Sequence, residues 1–343
     1  MKKLPKLQKG DKVAILSPSF AAPGMFPEVF ELGLTRLRDV FELEPVEFPT
    51  TRKLGASKEE RAKDLIDAFS DPEIKAVIAT IGGDDQVTYI KNLPGDVFAN
   101  NPKPYFGYSD NTHFMNFLWL NGVPSFYGGS IMTQFAMQGE MDAYTVEHLK
   151  NALFGGGEVE LKPSEMFNEV GLDWSDVDNL KKTRELRENA GWVWDGDGVG
   201  EGITWGGCVE SIDEIMRHGL QMPTIDQFDD VVLLLETSEE LPSASYVARV
   251  VRALGERGIL ERVKGVVVGR PKAWEFDKQN APAEREGYRE DQRATILKSV
   301  RAYNESVPIV QNVEIGHTDP QCIMPYGGRI TVDGVKRSIV VEY

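Results

Sequence analysis

Cysteine is scarce in this 343-residue chain. The two present, Cys208 and Cys322, are too few for a disulfide scaffold and lack the paired spacing of a zinc site. Histidine is nearly as rare, with four residues, which narrows any search for an imidazole base to His113, His148, His218 and His317. No run of 18 apolar residues exists, so no membrane span is expected. The basic start, MKKLPKLQKGDKVAILSPS, has an apolar stretch only from Val13 to Leu16, too short for a secretory signal, and a soluble cytoplasmic protein is expected. Positive charge is the minority sign: 38 Lys and Arg against 54 Asp and Glu leave a net charge of −16. That balance argues against binding a nucleic-acid polymer, which needs clustered cations, but leaves room for a local pocket that takes a small anion. What is present is core material. Apolar residues make up 41% and aromatics 9%, and the length exceeds the roughly 250–300 residues at which single cores tend to divide. Two domains are expected.

The first half alternates short apolar runs with amphipathic stretches. Val13-Ala14-Ile15-Leu16 ends in Ser17-Pro18-Ser19, Ala76-Val77-Ile78-Ala79 runs into Gly82-Gly83, and Tyr105-Phe106-Gly107 runs into Ser109-Asp110. Phe30, Leu34, Leu37 and Phe41 recur at helical spacing, and Ser57 with Glu60 reads as a capping box before Leu65, Ile66 and Phe69. Fully apolar strands separated by helices indicate a parallel sheet covered on both faces, with ligands beyond the carboxyl ends of the strands. A composition break follows between Gly155 and Gly200, rich in acidic residues and glycine and holding Trp174, Trp192 and Trp194. It lacks a clean period and reads as a connection with an extended loop. Regular structure then resumes. Val231 to Leu235 is a buried strand ending at Glu236, Ser243 to Gly258 is a helix, and Gly265 to Gly269 is a strand. Tyr288 to Tyr303 is a helix, Ile309 to Ile315 is a strand, and the tail is a hairpin turning at Asp333-Gly334. The expected organisation is an N-terminal domain over 1–155, a connection and aromatic loop over 156–200, and a C-terminal domain over 201–343.

Several positions can carry chemistry. In Gly107-Tyr108-Ser109-Asp110 a serine stands on a tight turn from an apolar strand into a helix, where the helix's free N–H groups favour an alkoxide and an oxyanion. The pattern departs from G-x-S-x-G because Asn111 holds the last glycine's place, and on local sequence alone an ordinary N-cap is the commoner explanation of Ser109. Gly82-Gly83 lets a main chain approach a ligand closely but lacks the spacing of a dinucleotide fingerprint or a P-loop. His148 falls in a charged amphipathic stretch and is expected on the surface, while His218 reads as a helix-end residue. On spacing alone His113, four residues after Ser109, and His317, at a strand end in Gly316-His317-Thr318-Asp319-Pro320, compete as the base. Glu236 closes a buried strand and needs a partner, which makes it a credible orienter of an imidazole. Glu239 and Glu240, just before Pro242, read as an acidic cluster ahead of a helix.

Taken together, Gly82-Gly83, GYSD at 107–110, WGG at 205–207, LLLETSEE at 233–240 and GHTDPQCIMPYG at 316–327 resemble the LD-carboxypeptidase and microcin-immunity family of serine peptidases along essentially the whole chain. The resemblance implies an α/β fold of two domains. The N-terminal one is a Rossmann-like parallel sheet with helices on both faces, the C-terminal one carries a mixed sheet, and the active site lies in the cleft between them. It implies a Ser109–His317–Glu236 triad with an oxyanion hole from the N–H groups of Gly83 and Asp110, no cofactor and no metal, and a homodimer. It also moves His113 to a packing or contact role. Peptidoglycan-cleaving members carry Arg-Gly-Gly where this chain has Ile81-Gly82-Gly83, and LED where it has Leu235-Glu236-Thr237; Cys208 replaces the usual Asn after WGG. The run ETSEELPS is similar to the microcin C immunity (MccF-like) branch, whose members cleave aminoacyl or peptidyl nucleotides and stack an aromatic loop on the base. Gly82 with Trp174, Trp192 or Trp194 is then expected to contact substrate. The alternatives are an LD-carboxypeptidase trimming murein tetrapeptides and a non-catalytic ligand-binding homologue.

Overall fold

A computed structural model describes all 343 residues. The chain forms two main sheets. The first runs in the order Met324–Tyr326, Ser125–Tyr127, Tyr105–Gly107, Ile74–Ala79, Lys12–Leu16, Glu44–Glu47, and is parallel except at Met324–Tyr326. The second, of eight strands, has a parallel centre of Val199–Cys208, Val231–Glu236, Gly265–Gly269 and Ile309–Val313 with antiparallel strands on both flanks. Its central strands Val231–Glu236 and Gly265–Gly269 are buried at every residue, the apolar signature of a sheet covered on both faces. One continuous apolar core runs through both sheets, from Leu16 and Val77 to Leu233 and Val267. A second core, with Phe30, Leu37 and Phe135, covers the other face of the N-terminal sheet.

The local signals translate into elements with small shifts. The capping box at Ser57 and Glu60 starts helix Lys58–Ser70, and Ser243 caps Ala244–Glu256. The helix expected from Tyr288 begins earlier, at Pro282, because proline at the first helical position is already set for the turn. The tail is a hairpin of Arg329–Asp333 and Ser338–Glu342, but its turn is four residues, not Asp333-Gly334 alone. The Asp333 carboxylate accepts the N–H groups of Val335 and Lys336, and Arg337 takes the left-handed conformation.

The 156–200 stretch is more regular than an extended loop. Glu158–Leu161 and Val193–Asp195 are the two edge strands of the eight-stranded sheet, and Met166–Phe167 pairs with Arg187–Glu188. It lacks a readable period because its anchors are polar. Fully buried Glu314 accepts from Arg270, from the Ser164 hydroxyl at 3.0 Å, from Asn189 at 2.9 Å and from the Trp192 indole at 2.8 Å. Both oxygens of buried Glu169 accept from Nη1 of Arg289, each at 2.8 Å.

Candidate active site

Ser109 follows strand Tyr105–Gly107 at its carboxyl end and has φ +62°, a left-handed conformation that a side chain with a Cβ disfavours. The strain is held by lacing. The Asn111 amide accepts from Tyr105 at 2.5 Å and Gln86 at 2.8 Å, and donates to the carbonyls of Ile81 and Tyr108. Asn111 thus stitches the serine turn to the Gly82-Gly83 loop, and its φ of −60° is one that any residue adopts. Asp110 fastens the same loop from the other side, accepting from the Ser19 hydroxyl and the Gln86 N–H. The serine side chain looks onto the glycines: a Cβ on Gly82 would lie 3.0 Å from Ser109 Oγ. Gly83 has φ +155°, a Cβ there would run into the Ser19 hydroxyl, and its N–H has no partner within the protein.

Glu236 ends strand Val231–Glu236 with 2% exposure. Its Oε2 accepts from His317 Nδ1 at 2.7 Å and its Oε1 from the Tyr127 hydroxyl at 2.6 Å. That hydroxyl in turn accepts the Ser109 N–H at 3.2 Å, so Tyr127, which sequence reasoning missed, ties the serine turn to the carboxylate of the other sheet. Its only sequence signal is its place at the end of an apolar strand beside Gly128-Gly129. The WGG motif permits this meeting of sheets. Gly207, at φ +116°, leaves no room for a Cβ between Thr112 and Tyr127.

His317 packs edge-on against Tyr108 with ring centroids 5.0 Å apart and, with Ser109, lines one cleft of about 620 Å³. Its Nε2 does not bond the serine. It is 2.9 Å from Oε2 of Glu239. Glu239 is therefore not a helix-start charge as its sequence context suggests; helix Ala244–Glu256 begins later, and the side chain turns back onto the imidazole. Burial alone would lower the His317 pKa, but the two carboxylates outweigh it and raise the imidazole well above its ordinary value of 6.5. Burial acts against ionisation of Glu239 too, yet the imidazole holds its carboxyl down at about 2.

The other histidines lie elsewhere. His113 is buried with Nε2 3.1 Å from Glu214 and 3.5 Å from Asp110. His148 is not on the surface: it is 6% exposed, with Nδ1 3.1 Å from the Tyr343 hydroxyl, because its helix turns that face onto the core, and burial lowers its pKa to about 4. His218 ends helix Val209–His218 before left-handed Gly219. Of the three tryptophans, Trp174 lines the cleft with Phe20 and Phe276, its edge against Phe26 at 5.5 Å. Trp192 and Trp194 do not line it. Trp192 spends its indole N–H on Glu314, and Trp194 sits in an edge strand opposite Val310. Gly82, Gly83, Arg184 and Lys272 also line the cleft, with Arg184 held 2.7 Å from Asp319.

Residues 13–128 match the LD-carboxypeptidase N-terminal domain and residues 201–332 match the LD-carboxypeptidase C-terminal domain. The chain belongs to the LD-carboxypeptidase family of peptidases. A putative carboxypeptidase of Treponema pallidum is 28% identical over all of this chain and 95% of its own length. The crystal structure of an MccF-like protein from Streptococcus pneumoniae in complex with AMP is 28% identical, covers 97% of this chain and 99% of its own, and superposes with a TM-score of 0.86. The microcin C7 self-immunity protein MccF of Escherichia coli is 23% identical over 82% of this chain and 78% of its own. Its structure with aspartyl sulfamoyl adenosine has the same fold, at a TM-score of 0.85 over 99% of this chain and 98% of its own. No helix is long and apolar enough to cross a membrane.

Proposed function

We propose that this protein is a serine peptidase that hydrolyses the amide of an aminoacyl or peptidyl nucleotide. The reading rests on one observation above others: the His317–Glu236 pair, at 2.7 Å, borders the same cleft as a serine held in a left-handed strand-to-helix turn. Ser109 Oγ attacks the acyl carbonyl while His317 takes its proton, and Glu236 holds the imidazole in the tautomer with Nδ1–H and steadies the charge that forms. The oxyanion meets the N–H groups of Gly83 and Asp110, the first of which is free to donate. His317 then returns the proton to the leaving nitrogen, and water releases the acyl group from Ser109 by the same steps in reverse. The aromatic wall of Trp174, Phe20 and Phe276 supports a nucleobase on the leaving-group side, where a stacked ring is worth about 1–3 kcal/mol. AMP and aspartyl sulfamoyl adenosine in the similar structures agree with that choice of substrate.

The test offers the purified protein aspartyl sulfamoyl adenosine and a murein tetrapeptide side by side and follows product release. Cleavage of the nucleotide analogue, abolished in Ser109→Ala with binding retained, is the expected result. Cleavage of the tetrapeptide alone would assign the protein to murein trimming. Binding without turnover in the wild type would reject the peptidase reading.

A further inference from the structure

His317 has two ring nitrogens, and the proposed reaction needs them in different states: Nδ1 carrying a proton toward Glu236, Nε2 bare toward Ser109. Nε2, however, faces a second carboxylate and not the serine. Oε2 of Glu239 lies 2.9 Å from it while Oε2 of Glu236 lies 2.7 Å from Nδ1. The Glu236 contact is a hydrogen bond and the Glu239 contact an ion pair; an ionised carboxylate only accepts protons, so an imidazole set between two of them is held in its doubly protonated form. A ring in that state has no lone pair for the serine proton. We propose that Glu239 is a latch on the base, a positioning residue that holds His317 doubly protonated in the unliganded protein and must let go of Nε2 before Ser109 can be activated. The inference rests on the peptidase reading above.

The two carboxylates are built for different tasks. The Glu236 side chain is 1% exposed, with both oxygens committed, to His317 and to Tyr127. The Glu239 side chain is 49% exposed, and His317 is its one ion-pair partner. Its backbone neighbourhood is fixed, since Ser238 donates its hydroxyl to Glu210 at 2.7 Å, so the side chain can swing without unfolding the segment. Glu239 also borders two hollows at once, the main cleft and a second of about 450 Å³ lined by Asp84, Glu210 and Ser211; Ser109 and Gly83 border both as well. In this scheme an acyl group seated over Ser109, which borders the same two hollows, displaces the Glu239 carboxylate. On release the Nε2 proton passes to water in the open cleft, leaving a neutral imidazole whose Nδ1–H still faces Glu236. The charged or titratable groups facing this ring are few: Glu236 from the strand end, Glu239 from the segment after it and Tyr108 from the serine turn. Lys272 and Asp319 stand at the cleft wall, paired with Glu275 and Arg184. Burial raises the Tyr108 pKa, so its phenol is neutral here.

The experiment is fluorophosphonate labelling of Ser109 in the unliganded protein, with rate against pH, in wild type, Glu239→Gln and Glu239→Ala. It reads the state of the base without any substrate, and Gln keeps the size of the side chain should Ala disturb folding. Both variants are expected to label about tenfold or more faster at pH 7, with the acid limb moved down toward the ordinary imidazole range of about 6.5. Equal or slower labelling in both, with an unmoved limb, overturns the latch while leaving the nucleophile intact. Failure of the wild type and both variants to label at Ser109 at any pH overturns the peptidase reading and the latch together.

Discussion

The two halves of the site are made by different physics. On the N-terminal sheet the serine turn and the glycine loop are shaped by sterics: a left-handed Ser109, a Gly83 with no space for a Cβ, and an Asn111 amide lacing the two loops. On the C-terminal sheet the site is shaped by charge: a buried carboxylate, an imidazole between two acids, and a tyrosine hydroxyl feeding the first of them. Steric constraint fixes residue type, because only glycine fits certain positions. Electrostatic constraint fixes geometry, and many sequences place a glutamate near a histidine without a bond between them.

The largest expected effect separates the two candidate bases. If the proposed triad operates, His317→Ala should lower turnover of the nucleotide analogue by about 10³–10⁴-fold, the cost of removing one cooperating member. His113→Ala should change turnover only a few-fold while lowering the melting temperature, because it leaves the buried Asp110 and the half-exposed Glu214 without their shared partner. Comparable losses of turnover in the two, with both proteins folded, would move the base to the wrong sheet and break the comparison.

The steric half predicts a smaller effect. Gly83→Ala forces a Cβ against the Ser19 hydroxyl at a φ that alanine resists, so the 80–86 loop shifts and its N–H leaves the oxyanion position. Loss of one such donor costs about 10²–10³-fold in kcat, measured with little change in KM. A mere rise in KM at constant kcat would mean that the loop binds substrate without stabilising the developing charge.

This division explains what was legible in the sequence. The parallel sheet was readable because its central strands carry continuous apolar runs, and the serine turn because strand, glycine and helix signals converge on 107–112. Glu236 stood out as a charge closing a buried run. Spacing left His113 and His317 tied, since the fold alone decides which imidazole reaches Glu236. Glu239 was unreadable: a glutamate before a helix looks the same whether it caps or turns back onto a histidine. The choice among Trp174, Trp192 and Trp194 stayed open for a similar reason, as the indole partner of Trp192, Glu314, is 122 residues away along the chain. The regular pairing inside 156–200 was hidden because buried carboxylates hold that stretch in place of an apolar stripe.

The smallest expected effect tests whether carboxylates, and not burial, keep the proton on His317. His148 is buried as well, but no acid contacts it, and its pKa falls to about 4. A folded pKa below the unfolded value of about 6.5 means that the neutral ring favours folding above pH 6.5 and that this contribution is lost as pH falls through 4. His317 has the opposite sign: its ion pairs favour folding fully below about 6.5 and lose their contribution as pH rises through the raised folded value. Wild type should therefore lose about 2 kcal/mol more than His148→Gln between pH 7 and pH 5, read by urea unfolding at each pH. His317→Gln should show no such relief on the acid side, and its deficit against wild type should shrink as pH rises. Parallel pH profiles for the two variants would mean that both rings respond to burial alone, and the contrast between the charged and the steric halves of the site would lose its electrostatic side.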